Sequence, residues 1–315
     1  MTNNAAAAAT VWNCPNYVGE LFTIGQNSTP FLNAVGGIQG GLNLVGSWEF
    51  PLNQNDEMEA ADQPAITETA SLTAPTPVTY VRSQDTNVCQ IFQKQVSVSY
   101  AKQSNINTIS GLSITGEVQP IKNEKDYQIE RNLKQIAIQA DYTFLNGTYQ
   151  KAASAGTANK TRGVSTAIST STVAGGSATL TKAMIDNLLK AMLSNGAQLN
   201  NTYIWVNAHQ MKVINDLYGY PPESKMEGGT MIRKILTPFA ELAIAYDPHV
   251  TTSELLVLDM GFIKPVGLPV PDKGVLFYEE LSKTGAAETG QIYGQLGIGY
   301  GHESFHGKIT GLATS

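Results

Sequence analysis

The chain has 315 residues, 42% of them hydrophobic and 15% charged, enough for about two domains and a sizeable core, which excludes a disordered polypeptide. Its 20 Lys+Arg against 26 Asp+Glu give a formal net charge of -6, so tight binding to a phosphate backbone is not expected; nucleic acid could lie beside such a surface without sticking. The two cysteines, Cys14 and Cys89, have no CxxC or Cys/His spacing and are expected as free thiols, and no apolar run approaches the roughly 18 to 20 residues of a membrane span.

The first residues, MTNNAAAAATV, carry no positive charge before a short alanine run, so no signal peptide is expected. Residues 1–55 read as an irregular arm. Apolar clusters (Leu21, Phe22, Phe31, Leu32) alternate with Asn and with Gly36, Gly37, Gly40 and Gly41, which follow no dinucleotide-binding pattern. Asp56 to Pro77 turns acidic and then rich in Pro, Thr and Ala, the composition of an extended linker or edge strand.

Two β-favouring runs follow, Val78 to Arg82 and Val88 to Tyr100, and the polar Ser83 to Asn87 between them predicts a hairpin with a five-residue tip. In the second run Val88, Phe92, Val96, Val98 and Tyr100 share one parity, and Gln93, Gln95, Ser97 and Ser99 the other. A long two-stranded ribbon is marginal by itself, so its edges and apolar face call for another sheet or a neighbouring subunit.

The strongest helix runs from Asn123 to Asn146, with Asn123 as candidate N-cap, Glu124 and Asp126 in the first turn, and Gly147 as stop. At about 36 Å it is a spine candidate. Ile129, Leu133, Ile136, Ala140 and Phe144 form its core-seeking stripe; Ile138, Tyr142 and Leu145 form a second, narrower one.

Gln150 to Gly176 reads as a small-residue connector containing a loop and a short strand. An amphipathic helix (Leu180 to Leu193), a buried-type strand (Thr202 to Asn207), a helix (His209 to Tyr218) and the strands ELAIAY and ELLVLDMGFI then compose an α/β lobe over 178–285. The chain closes with Gly290 to Leu312, a glycine-punctuated strand or strand pair in which Ile292, Gly294, Leu296, Ile298 and Tyr300 share one face.

His302-Glu303-Ser304-Phe305-His306 matches the H-E-x-x-H zinc-peptidase signature, in which a helix sets both histidines on one ion with Glu303 as general base. The flanking Gly301 and Gly307 and the strand parity before it argue against that helix, and no later His, Cys, Asp or Glu could supply a third ligand. His209 and His249 have no ligand spacing, Glu279-Glu280 reads as a solvated turn, and no nucleophile elbow or P-loop occurs. No enzyme, metal or cofactor is expected.

The order of parts, and the words YTFLNG at the end of the spine, TRGV after it, LSKTG before the last strand and ESFHGKITGL at the C-terminus, resemble the major capsid proteins of tailed bacteriophages with the Hong Kong 97-type fold. The resemblance covers about 78–315. It implies an α+β chain with an N-terminal arm (1–55), an extended β-hairpin loop (56–99), a peripheral domain (100–177, spine helix 123–146), an α/β axial domain (178–285) and a peripheral return strand (286–315). It also implies pentamers and hexamers of an icosahedral head around double-stranded DNA, assembled in the host cytoplasm without a membrane, with scaffolding, portal and decoration proteins as possible partners. Inter-subunit contact would fall on Tyr80, Arg82, Asp85, Ile91, Phe92 and Lys94, and spine packing on Ile129, Leu133, Ile136, Ala140 and Phe144. No long charged scaffolding region is present, which implies a separate scaffold or a cleaved precursor, and no lysine–asparagine crosslink is expected although Lys94 lies in the loop. The alternatives are an encapsulin-like compartment of the same fold and a zinc hydrolase using His302, Glu303 and His306.

Overall fold

The computed structural model describes residues 29–36, 41–56, 63–80, 82–104, 124–219, 224–227, 230–283 and 285–314. In chain order, helix α1 (Pro30–Ala34) leads through β1 (Asn43–Leu44) to β2 (Glu49–Asp56), and a helical turn α2 (Glu68–Ser71) precedes β3 (Arg82–Val88) and β4 (Gln90–Ser99). Then come α3 (Tyr100–Ser104), the spine helix α4 (Glu124–Asn146), α5 (Val164–Ala167), β5 (Thr172–Ala174), α6 (Lys182–Ser194), β6 (Thr202–Val206) and α7 (Ala208–Tyr218). Strands fill the rest: β7 (Ser224–Glu227), β8 (Thr230–Leu236), β9 (Glu241–Tyr246), β10 (Leu255–Asp259), β11 (Lys264–Gly267), β12 (Leu276–Glu280), β13 (Ala287–Gly299) and, after a 3₁₀ turn at Glu303–Phe305, β14 (Gly307–Thr310).

The spine helix has the expected extent, although Asn123 lies outside the described residues. It packs on β4 and β13, and Ile136, Ala140 and Phe144 are buried while Ile129 is half-buried against the same core. Leu133, expected in that stripe, is 38% exposed. The buried positions instead include Ala140, Asp141, Phe144 and Leu145, all in the C-terminal half of the helix. Leu145, expected on a second stripe, belongs to the same core, whereas Tyr142 beside it is exposed.

A five-stranded sheet is built around β13. One edge of β13 carries β4 from Ala287↔Ser99 to Leu296↔Gln90, and the other carries β12 and then β11. A seven-stranded mixed sheet runs β5-β14-β10-β6-β9-β8-β7. Both of its faces are covered, which explains the unbroken apolar runs of its central strands. Leu256 and Leu258 of β10 and Trp205 of β6 face the core under the spine helix. The alternate residues Leu255, Val257, Ile204 and Val206 face a second core against α6 and α7. Thr181 and Asn207 cap those two helices by accepting from Met184 N (3.3 Å) and Gln210 N (3.0 Å).

Three pairings differ from the sequence expectation. β3 and β4 are separated only by Cys89 and do not pair with each other; β3 pairs antiparallel with β2, from Glu49↔Val88 to Asp56↔Arg82, with an irregularity between Pro51 and Asn53. The hairpin arms are therefore 49–56 and 82–88, and Ser83 to Asn87 is strand, not tip. Sequence reasoning missed this because β2 (EFPLNQND) is polar and contains a proline, which edge ribbons tolerate. Second, β11 and β12 lie within the expected lobe 178–285 but pair with β13. Third, β14 lies within the expected return strand but pairs with β10 of the lobe and with β5, which itself lies outside 178–285. Register across a sheet is a long-range property and leaves no mark on a strand's own alternation.

Candidate functional site

The ribbon β2–β3 is a separate two-stranded sheet. Its base is pinned: Asn87, fully buried, donates from Nδ2 to Ile298 O (2.9 Å) and Arg162 O (3.1 Å) while its Oδ1 accepts from Arg162 N (2.8 Å) and Val88 N (2.9 Å). Four backbone groups from three segments are thus satisfied by one side chain. Glu49 adds a surface clamp, accepting from Lys151 Nζ (2.6 Å) and Thr86 Oγ1 (2.8 Å), bonds that hold its carboxyl below the usual range. Beyond the base, large apolar side chains among the described residues between the strands are exposed: Ile66 is 72% exposed, Leu72 84%, Val78 58% and Tyr80 53%. Four large apolar side chains without a core of their own mark a contact surface.

The six predicted contact residues divide. Tyr80, Arg82 and Asp85 are exposed on this ribbon. Ile91 and Lys94 lie on β4, in the body of the protein, and line an open groove of about 570 Å³ with Gln90, Gln93, Ile138, Gln139, Tyr142, Thr143 and His249. Phe92, which also lines this groove, is only 4% exposed and packs in the core with the spine helix, on the face of β4 that carries the buried Val96 and Val98.

The two glycine-containing words flanking the connector meet in space. Gly163 N donates to Gly147 O at 2.8 Å, and a Cβ on Gly163 would lie 2.5 Å from Gly147 N and 2.6 Å from Leu145 O. Only glycine lets the connector run against the end of the spine helix here.

The H-E-x-x-H segment is a 3₁₀ turn, not an α-helix. His306 is fully buried; its Nδ1 accepts from Asp259 N (3.2 Å), so Nε2 carries the proton and donates to Tyr300 O (2.7 Å). Burial holds its pKa below that of a free imidazole. Glu303 accepts from Ser169 N (2.6 Å), Thr170 N (3.1 Å) and the Thr170 hydroxyl. Burial works to raise its pKa, but those donors together bring it below the usual range. With both ring nitrogens of His306 and the carboxylate committed to the fold, this motif does not fit a zinc-peptidase site. Glu279 and Glu280 are also not a turn: on β12, they pair with Lys273 Nζ and Lys125 Nζ, each at 2.5 Å. Cys89 is buried and free, its thiol pushed up to about 12 by burial, and is inert; Cys14 lies outside the described residues.

A cluster that sequence reasoning missed joins Asp141 of the spine helix to Asp247 and His249 of the loop after β9, with His249 Nδ1 2.7 Å from Asp141 Oδ2. The available signal was an aspartate on a helix face otherwise filled by Ala140, Phe144 and Leu145. The three groups offer ligand atoms within 4.8 Å of one another. All four carboxylate oxygens and Nδ1 already have partners in the chain, so they form a buried ionic cluster and not a metal centre.

A family model described as SU10 major capsid protein matches residues 1–313. No curated protein sequence matches the chain. Among solved structures it is similar to the capsid asymmetric unit of cyanophage A-1(L) (TM-score 0.62, 12% identity, covering 91% of this chain and 93% of that one). It is similar too to the structure titled Mycobacterium phage Patience (TM-score 0.59, 9% identity, 95% and 87% covered). The SrpI encapsulin complex of Synechococcus elongatus shares the fold as well (TM-score 0.58, 10% identity, 87% and 86% covered).

Proposed function

The chain belongs to the SU10 major capsid protein family, with the Hong Kong 97-type fold, and from that premise we propose how its subunits join into a bacteriophage head. The observation that carries the reading is the β2–β3 ribbon with its exposed Ile66, Leu72, Val78 and Tyr80. A two-stranded ribbon is marginal alone and finds its missing contacts on a neighbour. Tyr80, Arg82 and Asp85 are the donating side of that contact. Ile91 and Lys94, with Tyr142 in the groove over the spine helix, are the receiving side. Repetition of a head-to-tail contact closes rings, here pentamers and hexamers.

In this reading the chain before Glu49 is the arm, β2 belongs to the ribbon, and the spine helix with the β13 sheet forms the peripheral domain. The seven-stranded sheet forms the axial domain, with β14 as its contribution from the C-terminal segment. Packaged double-stranded DNA is held by enclosure, consistent with the net charge of -6, and scaffolding, portal and decoration proteins would be the further partners. The role is structural and not catalytic, in keeping with the commitments of His306 and Glu303; a bound-metal assay on pure protein tests this, stoichiometric zinc being the contrary result.

The deciding experiment is electron microscopy of the full chain, expressed alone and with its genomic neighbours, beside an Ile66→Ser/Leu72→Ser variant. Closed shells, rings of five or six, or sheets are expected from the parent, and folded but unassembled protein from the variant. Strictly monomeric parent protein in both settings overturns the reading. Shells that enclose protein cargo and never DNA point to the encapsulin-like alternative.

A further inference from the structure

Helix α1 starts at Pro30, so the amides of Phe31 and Leu32 are first-turn donors with no partner inside their own helix. Two carboxylates from distant parts of the chain take them. Asp247 Oδ2 accepts from Phe31 N at 3.0 Å, and Asp141 Oδ1 accepts from Leu32 N at 2.7 Å. The other two oxygens face one residue. Asp141 Oδ2 lies 2.7 Å from His249 Nδ1, and Asp247 Oδ1 accepts from His249 N at 2.7 Å and lies 3.5 Å from Nδ1. Both aspartates are fully buried, and the His249 side chain is 19% exposed.

Among the described residues, the groups around the imidazole come from the spine helix, His249's own loop, β4 and α1. The spine helix contributes Asp141, the edge-on ring of Tyr142 (6.1 Å) and Asn146, whose Nδ2 donates to His249 O at 2.7 Å. Its own loop contributes Asp247. β4 contributes Lys94, with Gln90 and Gln93, across the groove. α1 (PFLNA) brings no titratable group, only its two amides and the apolar Phe31 and Leu32 that roof the cluster.

We propose that His249 is a proton-operated latch: protonated, it neutralises the two carboxylates under segment 29–36, and loss of its proton releases α1 from the spine helix and the sheet. The sign follows from reciprocity. Docking α1 strips water from two carboxylates, and a desolvated pair of negative charges holds a neighbouring proton more tightly than a hydrated pair does. What strengthens the proton must therefore be strengthened by it.

The charges agree with this. Hydrogen bonds to Asp141 and then Asp247 raise the His249 pKa from 6.5 to about 9, against its partial burial. Burial raises Asp141 to about 6, with the His249 bond opposing. Between those values the imidazolium faces two carboxylates. A raised histidine pKa gives stability that is complete below about 6.5 and lost as pH climbs through about 9. Part of the shift survives undocking, since Asp141 and Asp247 remain nearby, so docking weakens by at most roughly 300-fold across that window.

Trp205, fully buried with the Phe31 ring edge-on at 5.2 Å, reports the roof. In the full chain carrying Trp12→Phe and Trp48→Phe it is the only indole. Acrylamide quenching of that protein, followed from pH 7 to pH 9.5 beside far-ultraviolet circular dichroism, is the test. Phe31→Ala in the same background sets the fully open signal. Expected are a several-fold rise toward that signal with unchanged helical dichroism, and a response in His249→Gln that no longer depends on pH. Flat quenching in the parent, the same midpoint in His249→Gln, or a rise only together with loss of helical signal overturns the latch. The result does not depend on the shell reading.

Discussion

Asn87→Ala removes the side chain that ties the ribbon to the body, and its cost can be worked from the contacts. The change strands Val88 N–H, Arg162 N–H, Arg162 C=O and Ile298 C=O. Each buried group left unsatisfied costs about 1–3 kcal/mol. A water can occupy the vacated, wholly polar space and satisfy two or three of the four, so the expected net loss is about 2–4 kcal/mol. Asn87→Asp sharpens the test. It keeps both acceptor bonds to Val88 N and Arg162 N but points an oxygen at the carbonyls of Arg162 and Ile298, where the amide donated. Burial and those carbonyls raise the new carboxyl's folded pKa above its unfolded value. Its deficit should be large at pH 7 and shrink as pH falls toward about 4, where a protonated oxygen donates again. Urea unfolding of unassembled full-length protein at pH 7 and pH 4.5, followed by tryptophan emission, measures both variants. A loss under about 0.5 kcal/mol for Asn87→Ala, the level of an ordinary surface change, or a deficit in Asn87→Asp equal at the two pH values, would refute the reasoning.

Gly163→Ala places a Cβ 2.5 Å from Gly147 N and 2.6 Å from Leu145 O, both backbone, so neither neighbour can swing away; thermal melts should show a loss of about 1–3 kcal/mol or more. Phe144→Ala should cost about 3–5 kcal/mol in the same assay, whereas Leu133→Ala, at an exposed position of the same helix, should cost well under about 1. For His306 the direction is opposite to that of His249: a depressed folded pKa gives stability present above about 6.5 and lost as pH falls, by up to about 1.4 kcal/mol per pH unit. His306→Gln keeps one donor for Tyr300 O and one acceptor for Asp259 N, so denaturant midpoints between pH 7 and pH 5 should fall less steeply in that variant than in the parent.

Much of the architecture was legible locally. The spine helix announced itself through its acidic first turn and the glycine after Asn146, and α6, β6, α7, β9 and β10 through periodicity, because these elements have one strong apolar pattern each. The inward set of β4, Val88 aside, was read correctly at Phe92, Val96 and Val98 and failed at Tyr100, where α3 begins and the alternation ends. The H-E-x-x-H match was discounted on its flanking glycines, and the commitments of His306 show the physical reason: the ring binds the backbone of Asp259 in β10 and of Tyr300 just after β13, and has no lone pair left to offer.

The candidate surfaces were only half legible. Tyr80, Arg82 and Asp85 were expected on a loop built from β3 and β4; they are exposed at a ribbon built from β2 and β3. Phe92 was counted with them because sequence shows that a β-strand has an apolar face and not what covers it. Asn87 read as a turn residue because a polar side chain inside a strand carries no local sign that four distant backbone groups converge on it. Asp141, Asp247 and His249 looked unrelated for the same reason: 106 positions separate Asp141 from Asp247 in the sequence, and only the packing of α1 brings their charges under one roof.

The sequence by itself determined the strongly periodic elements (the spine helix, α6, β6, α7, β9 and β10) and, through the words around Gly147, Gly163 and the C-terminus, the kind of protein this is. Tertiary structure decided which strands meet, so that β2 and not β4 is the ribbon's second arm and β14 lies in the lobe. It also decided which polar residues are buried. The division is physical. Helix periodicity and strand alternation are set by neighbours within a few positions, whereas sheet register and the burial of charge depend on contacts among residues far apart in the chain.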